Sequence, residues 1–241
     1  MTPLIALEEL NRRDPNKNLR TVYLLYEGAN TEVSLINPLL AHSAFFAKSP
    51  VIFRRLDKTD RERGVTDPIG LITIAKDYIA KHCGPKGDFR SGRDKILIVF
   101  DLDVLKNDRM KIDALHQEKT GDIILAFTNP AIELFLLLSR KNSYEQIIEP
   151  NKELILKNDY FDPAAKEKER FILHLVKQHL GLDPKVHDAD FRFILNNVEV
   201  AAQQENMYLN HNLSKSAGEL TSNIAYVLLK IRDGKIDEIE E

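Results

Sequence analysis

The chain has 241 residues, 43% of them hydrophobic and 29% charged, with 10 Gly, 10 Pro and the single cysteine Cys83. That length suits one large domain or two small ones, and the composition excludes collagen-like, disordered and disulfide-scaffold classes; one thiol allows neither an internal disulfide nor a cysteine-based zinc site and points to the reducing cytoplasm. A net charge of -3, from 34 basic and 37 acidic residues, gives no general affinity for a polyanion, so any nucleic-acid contact must be local.

In the opening MTPLIALEELNRRD, Glu8, Glu9 and Asn11 interrupt the apolar run before it reaches the length of a signal peptide or a membrane span, so no membrane association is expected. Residues 21–26 (TVYLLY) are β-branched and aromatic and end at Glu27-Gly28, which predicts a buried strand meeting a turn. A second strand is predicted over 51–56. In RRLDKTDRER (54–63), Arg54, Arg55, Lys58, Arg61 and Arg63 alternate with Asp57, Asp60 and Glu62, the pattern of a solvated face or of a local phosphate-binding surface. Asp67-Pro68 supplies an N-cap and a first-turn proline, and Ile69, Ile72, Ala75, Ile79 and Ala80 then recur at helical spacing until Gly84-Pro85.

Residues 95–100 (KILIVF) and 122–127 (DIILAF) predict two more strands, with a helix over 109–118 between them. Continuous apolar strands separated by helices indicate βαβ units and a mainly parallel sheet. Segments 131–138, 164–180, 188–204 and 216–232 read as helical, and the final DEIEE reads as a frayed acidic tail. The expected organisation is an N-terminal segment (1–20), an α/β core (21–140), a helical C-terminal region packed on it (141–235) and the acidic tail (236–241).

In open parallel sheets ligands bind beyond the carboxyl ends of the strands, so polar residues placed there carry functional weight. Three segments qualify: Glu27 to Glu32 after the first strand, Asp101-Leu102-Asp103 after KILIVF, and Asn129 with Glu133 after DIILAF. Continued extension would put Asp101 and Asp103 on one side, where two carboxylates repel unless a cation lies between them; a hard divalent ion suits such oxygens. A pair of solvated strand-end aspartates is the alternative. Glu27 ends a strand beside a glycine, and Glu32 falls where the dipole of a following helix would stabilise it without any ligand.

Glu133 lies in AIELFLLL (131–138), where a buried carboxylate needs a partner. With Asn129 as N-cap and Pro130 at the first helical position, Glu133 falls one residue beyond the capping-box glutamate. That leaves an ion pair or a functional site. His174 and His179 are five apart, off the spacing that aligns two ligands on a helix, and no phosphate-loop, nucleophile-elbow or dinucleotide fingerprint is present.

Taken together and in this order, YEGANTE (26–32), VFDLD (99–103) and TNPAIELFLLLS (128–139) resemble the RloB-like family of Toprim-domain proteins from bacterial restriction and phage-resistance loci. The family pattern is an E-G-x-x-T-E turn, a D-x-D after an apolar strand, and an S-N-P-x-F-E-x-W-x-L-L segment. Thr128, Ile132 and Phe135 depart from the last of these, which keeps its asparagine, proline and glutamate, and the resemblance spans about residues 20 to 180.

The resemblance implies a Toprim-like α/β fold and Mg²⁺-dependent (or Mn²⁺-dependent) hydrolysis of nucleic-acid phosphodiesters, DNA or RNA, in anti-phage defence by abortive infection. Glu27, Asp101 and Asp103 match the family's metal-binding acids; Glu32 matches a further acid that could hold metal, and Glu133 one that ligates or orients a water. Lys95, Arg54 and Arg55 are the candidate phosphate contacts. Loci of this family often encode an ABC- or AAA-type ATPase, the expected regulatory partner. A Toprim-like module that docks on such an ATPase and cuts nothing is the alternative, and a primase-like transferase ranks third. Asn37-Pro38 would shorten or break the helix expected after YEGANTE.

Overall fold

The computed structural model describes residues 19–27, 49–59, 62, 64–84, 87–166, 168–185 and 192–239. Glu32, Arg61, Arg63, Asn37-Pro38 and nearly all of the expected N-terminal segment lie outside these residues. The strands are β1 (Arg20–Tyr26), β2 (Val51–Arg55), β3 (Lys95–Asp101), β4 (Ile123–Asn129) and β5 (Thr221–Ser222). They form one sheet in the order β2-β1-β3-β4-β5, parallel except for the β4–β5 pair. The α/β class expected from the sequence, a mainly parallel sheet with flanking helices and a helical C-terminal region, is present.

Because successive strand residues face opposite ways, each central strand feeds two cores. Tyr23, Leu25, Ile96, Ile98, Phe100, Leu125 and Phe127 pack with α1 (Pro68–His82) and α2 (Arg109–Glu118). Val22, Leu24, Leu97, Val99, Ile124 and Ala126 point to the other face. There they meet α3 (Glu133–Leu138), α5 (Phe171–Leu180), α7 (Val198–Tyr208) and α8 (Ile224–Arg232). Helix α3 is buried along its whole length, and each Leu or Phe so enclosed contributes about 1.5–3 kcal/mol.

Helix α1 begins and ends as its sequence dictates: Asp67 accepts from the Gly70 N–H at 2.8 Å, Pro68 opens the first turn, and the chain leaves at Cys83. Helix α2 fills 109–118 as expected, capped by Asp108.

Several C-terminal expectations are corrected. Asn129 is the last residue of β4 rather than an N-cap; the Asn129-Pro130 peptide is cis, and α3 starts at Glu133 with Ile132 in the cap position. The described residues of 164–170 form turn, bend and an isolated bridge at Arg170 but no helix, so α5 begins only at Phe171. The segment expected to be helical from 216 first forms β5, whose Ser222 pairs with Thr128, and α8 follows at Ile224. Helical spacing of apolar residues cannot exclude a two-residue strand that is fixed by its partner. The tail is not frayed at its start: Ile236 is buried in a 3₁₀ turn, Asp237 pairs with Arg20, and Glu238 pairs with Lys230 at 2.8 Å.

Between β3 and α2 lies a 3₁₀ turn, Asp103–Leu105. The short helix α4 (Lys152–Lys157) ends at Asn158 in the left-handed conformation, φ 46°, and α6 (Arg192–Asn196) precedes α7.

Candidate functional site at the carboxyl edge of the sheet

The chain passes from β1 to β2 on one side and then crosses back to place β3 on the other side of β1. Strand order therefore reverses between β1 and β3, and connections leaving these two strands diverge, which opens a crevice at their carboxyl ends. Glu27 and Asp101 occupy that crevice. The Glu27 N–H continues the ladder to the Val99 carbonyl at 3.1 Å, and one Glu27 carboxylate oxygen accepts from the Asp101 N–H at 3.2 Å. Ordinary bond lengths then hold the two carboxylates within about 8 Å. The Asp101 Oδ1 in turn accepts from the Thr128 hydroxyl at 2.9 Å, and Thr128 is fully buried on the neighbouring strand β4.

Asp103 does not share this position. Leu102 turns into the right-handed helical region (φ -86°, ψ -12°), so extension stops at Asp101, and Asp103 opens the 3₁₀ turn. Its carboxylate accepts from the Asn158 amide at 3.2 Å. Burial pushes the Asp103 carboxyl above its ordinary range, with the Asn158 hydrogen bond and the Arg170 charge working in the opposite direction. The expectation that Asp101 and Asp103 face one way through strand alternation is thus corrected by the backbone turn between them.

Glu133 is 7% exposed at the first turn of α3, where the helix dipole favours a carboxylate. Asn129, on the motif strand itself, is a clamp. Its amide approaches the Ser216 and Glu219 carbonyls, each at 2.8 Å, and Asn107 Oδ1 at 3.1 Å; Asn107 also accepts from the Gly218 N–H. One side chain thereby ties the end of β4 to the turns that follow β3 and precede β5.

The expected phosphate contacts are split. Arg55 ends β2 at the carboxyl edge, lies over the Tyr26 ring at 5.3 Å and pairs with Asp57 at 2.8 Å. Arg54 is exposed and reaches Asp88 only at 3.9 Å. Lys95 starts β3, six residues from Asp101, at the opposite edge of the sheet, where its ammonium donates to the Gly121 carbonyl at 2.6 Å and meets Asp122 at 3.4 Å. A strand of that length puts roughly 20 Å between Lys95 and the crevice, so Lys95 is removed from the site.

A half-buried cation missed individually by sequence reasoning is Lys58, which donates to the Glu27 carbonyl at 3.0 Å and to the Val65 carbonyl at 2.8 Å. Its place inside RRLDKTDRER hid it among residues of alternating charge.

Beside the crevice, a cavity of about 570 Å³ opens beyond β3 and β4, bounded by the Asp103–Asn107 turn, Asn129, the end of α4 and Arg170. Nothing local in the sequence marks Asn158 or Arg170 as part of this edge, because each comes from the C-terminal region.

Glu27 and Asp101 are suitable oxygen donors for a hard divalent cation. No group of three or more His, Cys, Asp or Glu side chains placed to hold a metal ion occurs among the described residues. No helix among them is long and apolar enough to cross a membrane. No family model, curated protein or solved structure significantly matches this chain.

Proposed function

We propose that this protein is a Mg²⁺-dependent nuclease that hydrolyses nucleic-acid phosphodiesters in anti-phage defence and is regulated by an ABC- or AAA-type ATPase. The observation that carries the reading is the contact between Glu27 and Asp101 at the strand-order reversal, with both acids supplied by motifs that resemble the RloB-like Toprim pattern. Thr128 adds support. It stands at the serine position of the third motif, and its hydroxyl holds Asp101.

In this reading Glu27 and Asp101 would hold Mg²⁺; Asp103 and Glu32 are the further acids that the resemblance assigns to metal, and the turn at Leu102 directs Asp103 to Asn158 instead of to this pair. The ion when bound would lower the pKa of a water and neutralise charge on the phosphate. The Glu27 contact with the Asp101 backbone fixes the spacing of the two strand ends, and Thr128 fixes the rotamer of Asp101. Lys58 locks the carbonyl of Glu27, so the carboxylate is presented from a rigid turn. Glu133, buried nearby in sequence from the same β4 exit, is the candidate to orient the attacking water. Arg55 provides a positive charge on the β2 side of the edge.

The test is cleavage of single- and double-stranded DNA and RNA with Mg²⁺ or Mn²⁺, with and without the ATPase, by wild type and by Glu27→Gln, Asp101→Asn and Glu133→Gln. The reading expects metal-dependent products from wild type and at least a hundredfold loss in each variant at unchanged folded fraction. The alternative is a docking module without catalysis. It expects stable ATPase binding and no cleavage under any of these conditions.

A further inference from the structure

We infer that the cavity beside the crevice is a binding site for a nucleoside 5′-monophosphate unit, with Lys106, Lys157 and Arg170 meeting the phosphate and Asn158 and Asp103 accepting from the sugar or base. The first support is Asn158. This side chain is 5% exposed, its amide nitrogen is committed to Asp103, and its Oδ1 is buried without any partner. Buried polar atoms are almost always satisfied in folded proteins. Asn158 lines the cavity, so a ligand O–H or N–H entering beside it would satisfy this acceptor after a small rotation of the side chain.

The second support is charge. Lys106, Lys157 and Arg170 line the same cavity, and neither lysine makes an ion pair among the described residues. Arg170 is held in place: one guanidinium nitrogen donates to the Asn158 carbonyl at 2.7 Å, and its plane lies 4.8 Å from the centre of the Tyr160 ring. An arginine fixed in this way loses little freedom when it takes a phosphate oxygen.

A bare phosphate does not match the whole lining. Asp103 and Glu153 also face the cavity, and with the Asn158 oxygen they would repel a dianion while accepting from hydroxyl or amino groups. A ligand carrying an anionic end and hydrogen-bond donors at the other satisfies both sides, and about 570 Å³ lies within the 300–1,000 Å³ typical of small-ligand sites.

The inference deepens the nuclease reading, since a strand ending in a 5′-phosphate presents this unit next to Glu27 and Asp101. It is tested by binding alone, in chelator, so its failure and the failure of the catalytic reading are separate results. Calorimetric titration of the full chain with adenosine 5′-monophosphate, adenosine and inorganic phosphate is expected to rank the mononucleotide at least tenfold above the other two. The double variant K106A/K157A should lose at least tenfold for the mononucleotide. Asn158→Gly, which keeps the left-handed cap but removes the acceptor, should lose severalfold for the mononucleotide and nothing for phosphate; melting curves confirm that each variant is folded. A 5′-phosphorylated oligonucleotide binding more tightly than the mononucleotide identifies a strand end as the source, and equal binding identifies a free nucleotide; both support the site. Equal affinity for phosphate and mononucleotide, or an unchanged affinity in folded K106A/K157A, overturns it.

Discussion

At the two edges of the sheet the fold treats buried carboxylates in opposite ways. At the amino edge, Asp94 is completely buried and accepts from the Thr21 N–H at 2.9 Å, the Arg90 N–H at 2.9 Å, and the Arg90 guanidinium at 2.6 and 2.8 Å. Asp122 is likewise surrounded by Ser91, the Gly92 N–H and Lys95. Burial by itself would raise both carboxyls, but these hydrogen bonds and charges outweigh it and hold them below the usual carboxylate range. At the carboxyl edge, Asp103 is pushed up by burial instead, and Asn158 keeps an acceptor unmet. Asp94 and Asp122 are thus saturated by protein partners, whereas at the carboxyl edge the buried Asn158 Oδ1 beside Asp103 accepts from no protein group.

This contrast is most open to attack at Asp94. Asp94→Ala should cost about 3 kcal/mol, because it strands the buried Thr21 N–H and unpairs Arg90; the arginine is about half exposed and recovers part of the loss in water. Since the folded carboxyl titrates below its ordinary value, its contribution is present above that value and is lost as pH falls through the folded one. Urea denaturation of wild type and variant, at neutral pH and in acid, checks both points. A loss below 1 kcal/mol would show that the amino-edge network contributes little to the fold.

A somewhat smaller effect belongs to Glu205, the exception among saturated groups. It is fully buried in α7, accepts from the Ser222 hydroxyl and from the Ala225 and Tyr226 N–H groups, and still has its carboxyl pushed up to about 7 by burial. A raised folded value means stability that is full below about 4.5, the ordinary value, and is lost as pH rises through about 7. Glu205 should therefore contribute about 2 kcal/mol more stability near pH 5.5 than near pH 8, against the opposite slope of His179 and His211, whose values burial lowers. The contribution is read as the difference between wild type and Glu205→Gln over this interval. A variant whose denaturant midpoint keeps the same pH dependence as wild type contradicts the assignment.

Lys95→Met sharpens the comparison further. Removing a side chain that bridges Gly121 and Asp122 should cost about 1 kcal/mol, yet nucleic-acid affinity per folded molecule should stay the same, because Lys95 is at the wrong edge. The smallest stability effect is expected at the site itself. Glu27→Gln and Asp101→Asn should change stability by no more than about 0.5 kcal/mol, since relief of carboxylate repulsion offsets the weakened hydrogen bonds. Metal-dependent cleavage should nonetheless collapse in both. If either variant melts as far below wild type as Asp94→Ala, the acids at the carboxyl edge are structural like those at the amino edge.

By itself the sequence determined the layers and the strand ends. Strands β1, β3 and β4 were legible because each is a continuous apolar run, and α1 because its cap is a local signal, Asp67-Pro68 acting on an N–H group within three residues; α2 was legible as a helix-compatible stretch, and its Asp108 cap emerged from the structure. Strand-end polarity marked Glu27 and Asp101 as residues of the carboxyl edge, while the pairing of β1 with β3, which brings them together, belongs to the strand order of the sheet. Tertiary structure alone decided the rest. Strand β5 exists only because β4 offers an edge to residues more than ninety positions later, and Asn129 became a clamp because its partners arrive with that strand. The turn at Leu102 separated Asp103 from Asp101, and the meeting of Asp103 with Asn158 and Arg170 depends on how α4 and α5 dock against the sheet. Hydrogen bonds and desolvation act over a few ångströms in space with no regard for separation along the chain, so a one-dimensional pattern records the groups but not their company.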